Sequence, residues 1–119
     1  MPHIKMEISN NIEIPSDKNI FLALQKILHD CADVPAQNCK SRIHVSSNFL
    51  VGDEKTPAFV HLEIALLEGR SPQVKSQIGE KALQVLHDVF ASDTLGTQIT
   101  VEVRDIQLAQ YFKKVNHAK

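Results

Sequence analysis

The sequence predicts an α+β domain in which two β-α-β units form one four-stranded sheet with both helices on the same face. Three observations support this fold class. Four segments alternate apolar and polar residues, as half-buried strands do. Two further segments repeat apolar residues at helical spacing, and their spacings match each other. The chain has 119 residues, of which 43% are hydrophobic and 23% charged, and this is enough for one domain with a core.

The first predicted unit covers residues 3–52. It begins with a strand over residues 3–8, whose apolar side chains all point to one face. Ser16 is the expected N-cap of the first helix, because its side chain can accept a hydrogen bond from the first turn. The apolar residues of this helix are spaced by 4, 3, 1 and 3 positions: Ile20, Leu24, Ile27, Leu28 and Cys31. Alternation then returns over residues 41–50 and predicts a second strand.

The second predicted unit covers residues 57–104 and repeats this layout. Residues 58–67 alternate as a strand. Ser71 is the expected N-cap of the second helix, and Pro72 stands where a first helical residue tolerates proline. The apolar residues of this helix again follow spacings of 4, 3, 1 and 3: Ile78, Ala82, Val85, Leu86 and Val89. A last strand is predicted over residues 98–104.

The remaining residues, 105–119, read as a basic amphipathic tail, and we expect the whole chain, 1–119, to be a single domain.

The strands leave one sheet face of mixed character. Its side chains are His3, Lys5, Glu7, Arg42, His44, Phe59, His61, Glu63 and Thr100. Such a face is either in contact with solvent or covered by other subunits, and the residues alone leave both alternatives open.

Composition excludes several classes of protein. The 13 basic and 14 acidic side chains give a formal net charge of −1, which argues against a nucleic-acid binder. No apolar run approaches the roughly 20 residues that span a bilayer, and the N-terminus has no signal-peptide core. Cys31 and Cys39 form no CxxC pair, so we expect a cytoplasmic protein with two free thiols. Histidine spacing suggests no metal site, and the scattered glycines suggest no phosphate loop, so no cofactor is expected.

Pro2 is the candidate catalytic residue of this sequence. If Met1 is removed after synthesis, the nitrogen of Pro2 becomes a secondary amine that can accept a proton. Its pKa must then be lowered by burial or by nearby cations, and we expect apolar side chains such as Phe59 or Phe112 to supply the burial. If Met1 stays, the nitrogen of Pro2 is part of an amide and cannot act as a base.

Three cations are candidates for binding an anionic substrate. Lys40 and Arg42 lie two positions apart, so they project from the same face of one strand. Arg70 lies in the turn before the second helix. A cation at a substrate carboxylate also stabilises the negative charge that develops during proton transfer.

Five segments, in this order along the chain, resemble those of the 5-carboxymethyl-2-hydroxymuconate isomerases, a branch of the tautomerase superfamily. The segments are Met1-Pro2-His3 with Glu7, Lys40-Ser41-Arg42-Ile43-His44, Ala58-Phe59-Val60-His61-Leu62, Gly69-Arg70-Ser71, and the tail from Tyr111 to Ala118. The resemblance covers nearly the whole chain. It implies a tautomerase-like pair of β-α-β units and a homotrimer, which would cover the mixed sheet face.

The resemblance also implies roles for individual residues. Pro2 matches the catalytic proline, and Arg70 matches the arginine of the family's Gly-Arg-Ser segment. Arg42 matches the second arginine of its Arg-Ser-Arg-Val-His segment, and Lys40 stands where the first arginine is expected. Lysine keeps the positive charge but lacks the planar fork that binds a carboxylate through two hydrogen bonds.

We therefore expect a cofactor-free isomerase that moves a proton in an unsaturated 2-hydroxy or 2-oxo carboxylate with two or three carboxylates. In this family, such a substrate belongs to homoprotocatechuate degradation. The alternative is a non-catalytic oligomeric module that binds a small ligand on the same scaffold, because a fold does not dictate an activity. A ferredoxin-like nucleic-acid binder is disfavoured by the lack of basic excess and by the single tyrosine and absent tryptophan.

Overall fold

A computed structural model describes residues 1–118; the last residue of the predicted domain and tail, 119, lies outside the described residues. Within these residues the chain forms four strands and two α-helices. They are β1 (His3–Ser9), α1 (Asp17–Ala32), β2 (Lys40–Ser46), β3 (Ala58–Leu67), α2 (Pro72–Phe90) and β4 (Thr97–Ile106). Short 3-10 turns follow α1 and β4, at Ala36–Asn38 and Leu108–Gln110.

The strands form one mixed sheet in the order β2-β1-β3-β4. β1 pairs in parallel with β2, and β3 pairs in parallel with β4, so each pair is joined by a helical crossover. The central strands β1 and β3 are antiparallel. This topology confirms the predicted α+β fold of two β-α-β units.

The core lies between the sheet and both helices. Alternate residues of β1 and β3 enter it from the sheet: Ile4, Met6, Ile8, Val60, Leu62, Ile64 and Leu66. The predicted helix faces enter it from the other side, with Ile20, Leu24, Ile27 and Leu28 from α1 and Ile78, Ala82 and Leu86 from α2. Burial of one large aliphatic side chain contributes about 1.5–3 kcal/mol, so this shared cluster couples the two units.

Both helices begin at the predicted caps. The Oγ of Ser16 accepts a hydrogen bond from the backbone N–H of Asn19, and the Oγ of Ser71 accepts one from Val74. Pro72 is the first residue of α2, as predicted. These caps satisfy N–H groups that have no partner within the helix, and they fix where each helix starts.

Two strands, β2 and β4, differ most from the prediction. β2 ends at Ser46 rather than at residue 50, because its only neighbour, β1, ends opposite it at Ser9. β4 runs from Thr97 to Ile106, longer than predicted, because every residue of β3 offers it a partner. The tail described by the structure therefore covers residues 107–118, and after its 3-10 turn it has no regular secondary structure.

The sheet face opposite the helices, here called the open face, carries the predicted mixed side chains. Polar pairs cross its strands: Glu7 with Ser46, His61 with Thr100, and Glu63 with Arg104. A hollow of about 380 Å³ lies among Lys5, Met6, Glu7, His44, His61 and Glu63. Among residues 1–118, no helix has the length and apolar character required to cross a membrane.

Candidate active site

A cavity of about 240 Å³, here called the Pro2 cavity, lies at the N-terminal end of β1. Four parts of the chain line this cavity: the N-terminus, the α1–β2 connection, the end of β3 and the turn before α2. Its lining residues are Met1, Pro2, Asp33, Val34, Pro35, Asn38, Leu66, Leu67 and Arg70. The cavity therefore brings together Pro2 and Arg70, which are 68 positions apart in the sequence.

Pro2 is fixed by pairing of its carbonyl group. The residue is buried, and its carbonyl oxygen accepts a hydrogen bond from the backbone N–H of Lys40 at 3.1 Å. This bond extends the β1–β2 ladder by one residue. The nitrogen of Pro2 is consequently held at the cavity by contacts that do not involve Met1.

Arg70 is positioned by the turn between β3 and α2. Gly69 has a φ of 117°, a backbone conformation that favours glycine, and it directs the chain towards the helix. The Nη1 of Arg70 donates a hydrogen bond to the carbonyl oxygen of Leu67 at 3.0 Å. This contact engages one of the five N–H donors of the half-buried guanidinium, next to the capped N-terminus of α2.

The N-terminal amine lies in an environment that opposes its positive charge. Burial, followed by the charges of Arg70, Lys40 and Lys113, lowers the pKa of the Met1 amine below its ordinary value. The Nζ of Lys113 lies 3.4 Å from the Sδ of Met1. The charged form of the Met1 amine is therefore disfavoured relative to a free α-amino group.

The structure separates Arg42 from this group of cations within one chain. Lys40 and Arg42 pair with His3 and Lys5 of β1, so both project from the open face as predicted. The charge of Lys40 is close enough to lower the pKa of the Met1 amine. The Nη1 of Arg42 instead lies 3.1 Å from the Nδ1 of His3, and Arg42 lines a hollow of about 350 Å³ on the open face.

The expectation that Phe59 or Phe112 covers Pro2 is wrong for the single chain. Phe59 lies at the opposite end of β1, where its N–H donates to the Oγ of Ser9 and its ring contacts Phe49. Phe112 is 88% exposed. The apolar cover of the Pro2 cavity comes instead from the end of β3 and the α1–β2 connection, at Val34, Pro35, Leu66 and Leu67.

Two residues near the site, Tyr111 and Lys113, were not predicted to act there. The hydroxyl of Tyr111 lies 3.0 Å from the Nε2 of His3. Their only signal in the sequence is the basic, amphipathic character of the tail, which does not indicate which part of the sheet the tail contacts.

The two cysteines, Cys31 and Cys39, are free thiols, and burial raises the pKa of Cys39. No cluster of three metal-ligating side chains occurs in the part of the chain that the structure describes.

A family model described as 5-carboxymethyl-2-hydroxymuconate isomerase matches residues 2–119. The chain belongs to this family. It is therefore an isomerase of the tautomerase superfamily, and the resemblance seen in the five sequence segments is confirmed.

Individual relatives agree with the family match. The chain is 25% identical over 120 residues to the 5-carboxymethyl-2-hydroxymuconate Delta-isomerase of Escherichia coli, covering 98% of this chain and 95% of that one. The crystal structure of a 5-carboxymethyl-2-hydroxymuconate isomerase from Deinococcus radiodurans R1 has a TM-score of 0.84 and 29% identity, covering 97% of this chain and 90% of that chain. A fused 4-OT symmetric trimer has a TM-score of 0.67 at 18% identity over 88% of this chain and 85% of that one, and this likeness shows the shared fold.

Proposed function

We propose that this member of the 5-carboxymethyl-2-hydroxymuconate isomerase family is a 5-carboxymethyl-2-hydroxymuconate Delta-isomerase in which Pro2, freed of Met1, is the catalytic base. One observation supports the proposal: Pro2 and Arg70 line one cavity, and burial with the charges of Arg70, Lys40 and Lys113 lowers the pKa of the Met1 amine beside it, an effect we expect on the amine of Pro2 as well. The 25% identity to the Escherichia coli enzyme supports the substrate class.

The proposed reaction is a proton transfer. The neutral amine of Pro2 takes the proton of the substrate's 2-hydroxyl group, and the electron pair moves through the conjugated chain to form the 2-oxo group. The Pro2 ammonium then returns a proton to a carbon of that chain. One O–H bond breaks and one C–H bond forms, so no oxidant or reductant is needed and a cofactor-free reaction balances.

The cations have separate tasks in this proposal. Arg70, already in the cavity wall, binds a substrate carboxylate, and Lys40 binds a second or stabilises the developing enolate. Arg42 points along the open face, so it reaches a substrate only where copies of the chain meet. We propose a homotrimer whose open faces are covered, consistent with the trimeric neighbour of the same fold.

Met1 blocks the site in two ways when it is present. It turns the nitrogen of Pro2 into an amide, and its own side chain lines the cavity in which a substrate would lie. Removal of Met1 therefore frees both the base and the space, while the bond from Lys40 to the carbonyl of Pro2 keeps the new N-terminus in place.

The wider assignment follows the family. We propose that the chain is one domain over residues 1–119, with units 3–52 and 57–104 and the tail 105–119. The substrate would be a small dicarboxylate or tricarboxylate of homoprotocatechuate degradation. Two free cysteines are consistent with a reducing, cytoplasmic location.

The alternative is a non-catalytic oligomeric binding module on the same scaffold, and it is favoured by Lys40, which stands where the family resemblance leads us to expect an arginine. The two functions are separated by an ultraviolet assay of tautomerisation on 5-carboxymethyl-2-hydroxymuconate. Protein that begins at Pro2 is compared with protein that retains Met1, and circular dichroism confirms equal folding. We expect turnover only from the processed form. Equal rates from both forms would exclude Pro2 as the base and favour the binding module.

A further inference from the structure

The tail contacts the end of the sheet at which β1 begins and β3 ends, and it does so at three points. At its start, the backbone N–H of Leu108 donates to the carboxylate of Glu68, which follows β3, at 2.7 Å. Further on, the hydroxyl of Tyr111 meets His3. Two residues later, the Nζ of Lys113 reaches the side chain of Met1. A segment without regular secondary structure is thus led to the Pro2 cavity by specific contacts.

The ring of His3 links the tail to β2. Arg42 has only N–H donors, so its contact with the Nδ1 of His3 at 3.1 Å requires that this nitrogen accept. In a neutral ring the proton is then on Nε2, which donates to the hydroxyl oxygen of Tyr111 at 3.0 Å. The two rings also meet edge to face, with centroids 6.0 Å apart. One neutral imidazole therefore fixes both Arg42 and Tyr111.

The surroundings of His3 favour this neutral form. Burial and the adjacent charge of Arg42 lower the pKa of His3, and further cations add to the effect. These cations are Lys40, the N-terminal amine and Lys5. Three charged side chains of β3 and β4 line the same hollow as His3: Glu63, Arg104 and Asp105. Of these, Glu63 and Arg104 are paired with each other.

The contacts of the tail place the ammonium group of Lys113 beside the Pro2 cavity. Its Nζ contacts the Sδ of Met1, and Met1 lines the Pro2 cavity. Once Met1 is removed, the same ammonium group faces the space that the methionine side chain leaves. Arg70 lines the same cavity, and the charge of Lys40 acts on the N-terminal amine beside it, so three cations are available to a substrate with three carboxylates.

We infer that Lys113 binds the third carboxylate of the substrate, and that His3 and Tyr111 are positioning residues that hold the tail so that Lys113 reaches the cavity. This inference rests on the proposed function and deepens it. It makes the tail the part of the chain that distinguishes a tricarboxylate from a dicarboxylate.

The test measures kcat and KM of Met-processed protein on 5-carboxymethyl-2-hydroxymuconate, which has three carboxylates, and on 2-hydroxymuconate, which has two. For Lys113→Gln we expect KM for the tricarboxylate to rise about ten-fold, as when a charge-assisted contact is lost, with little change for the dicarboxylate. Lys114→Gln is the matched control, because it removes the same charge from the adjacent exposed residue. Equal effects on both substrates, or equal effects of Lys113→Gln and Lys114→Gln, would overturn the assignment of Lys113.

Tyr111→Phe tests the positioning step, since it removes the hydroxyl and keeps the ring. We expect the same selective rise in KM as for Lys113→Gln, but smaller, and no further rise when the two substitutions are combined. Additive effects, or no effect of Tyr111→Phe, would show that His3 and Tyr111 do not act through Lys113.

The outcome is separable from that of the proposed function. If wild-type protein beginning at Pro2 turns over neither substrate, the proposed function fails. Binding of the two compounds to the same variants, measured by calorimetry, then still decides the role of Lys113. If the wild type is active and the tail variants lack the selective KM effect, only the inference about the tail fails.

Discussion

Lys40 donates its backbone N–H to the carbonyl oxygen of Pro2 at 3.1 Å, and this bond holds Pro2 independently of the residue before it. The residue that donates this bond to Pro2 is thus also one whose side-chain charge lowers the pKa of the Met1 amine. One residue therefore sets both the position of the proposed base and part of its electrostatic environment.

The pH dependence of the rate should report the amine of Pro2. Burial and the charges of Arg70, Lys40 and Lys113 lower the pKa of the Met1 amine, and we expect the same causes to keep the Pro2 amine neutral to lower pH than a free amine. We expect kcat/KM to rise with pH along one limb, with a midpoint below the α-amino range of about 7.7–8.0. Activity is lost as the pH falls through that midpoint. A rate independent of pH across this range would contradict Pro2 as the base.

Arg70→Ala should lower activity strongly without unfolding the protein. Loss of a charge-assisted contact to a carboxylate is worth roughly 1.5–3 kcal/mol, or about ten-fold to over a hundred-fold in kcat/KM. The control is Lys81→Ala, an exposed cation on α2, which should leave the kinetics unchanged. Unchanged catalytic efficiency of folded Arg70→Ala protein would remove Arg70 from the site.

Lys40→Arg should restore the residue type that the family resemblance leads us to expect at this position. A guanidinium binds a carboxylate through two parallel hydrogen bonds, whereas an ammonium group acts as a point charge. We expect KM to fall, while the midpoint of the pH profile stays nearly the same because the charge is unchanged. A higher KM would show that Lys40 is adapted to a substrate of different shape.

Assembly should be measurable directly. The open face and its polar pairs are uncovered in one chain, and the tail leaves Phe112 exposed. We expect light scattering at micromolar concentration to give three times the chain mass of 13.3 kDa. A monomer that retains full activity would contradict the proposed contribution of Arg42 from an assembled open face.

Truncation of a side chain in the shared core should destabilise the protein. Leu62 is fully buried between the sheet and the helices. Leu62→Ala should lower the free energy of unfolding by about 2–5 kcal/mol, because the lost side chain leaves a cavity. Leu22→Ala, on the solvent side of α1 with Leu22 53% exposed, should change it little. Comparable losses in denaturant unfolding would mean that Leu22 is buried in the assembled protein.

The parts of the fold that obey a simple period could be predicted from the sequence. Both helices begin at the serines predicted from their capping potential, and β3 covers the predicted residues. The end of β2 was predicted too late, because apolar residues return at Phe49 and Leu50 while the pairing partner in β1 stops opposite Ser46. A strand needs a neighbour, and a one-dimensional pattern does not record where that neighbour stops.

The candidate site could likewise be predicted only in part from the sequence. Pro2 and Arg70 were expected together from the resemblance, and one cavity contains both. The contact between His3 and Tyr111 spans 108 positions and connects a strand to a tail without periodicity, so no local pattern indicates it. Phe59 was expected near Pro2 as an apolar side chain, but the antiparallel register places it opposite the far end of β1.

The position of Met1 in the wall of the Pro2 cavity has a practical consequence for anyone who prepares this protein. Under the proposed mechanism, an affinity tag or a leftover protease-site residue before Pro2 would act as an unprocessed methionine does and give a folded but inactive sample. When a host cell produces the chain faster than its aminopeptidase trims it, specific activity would report the trimmed fraction rather than the quality of folding. Intact mass spectrometry should therefore accompany every rate, so that activity is expressed per mole of chains that begin with proline.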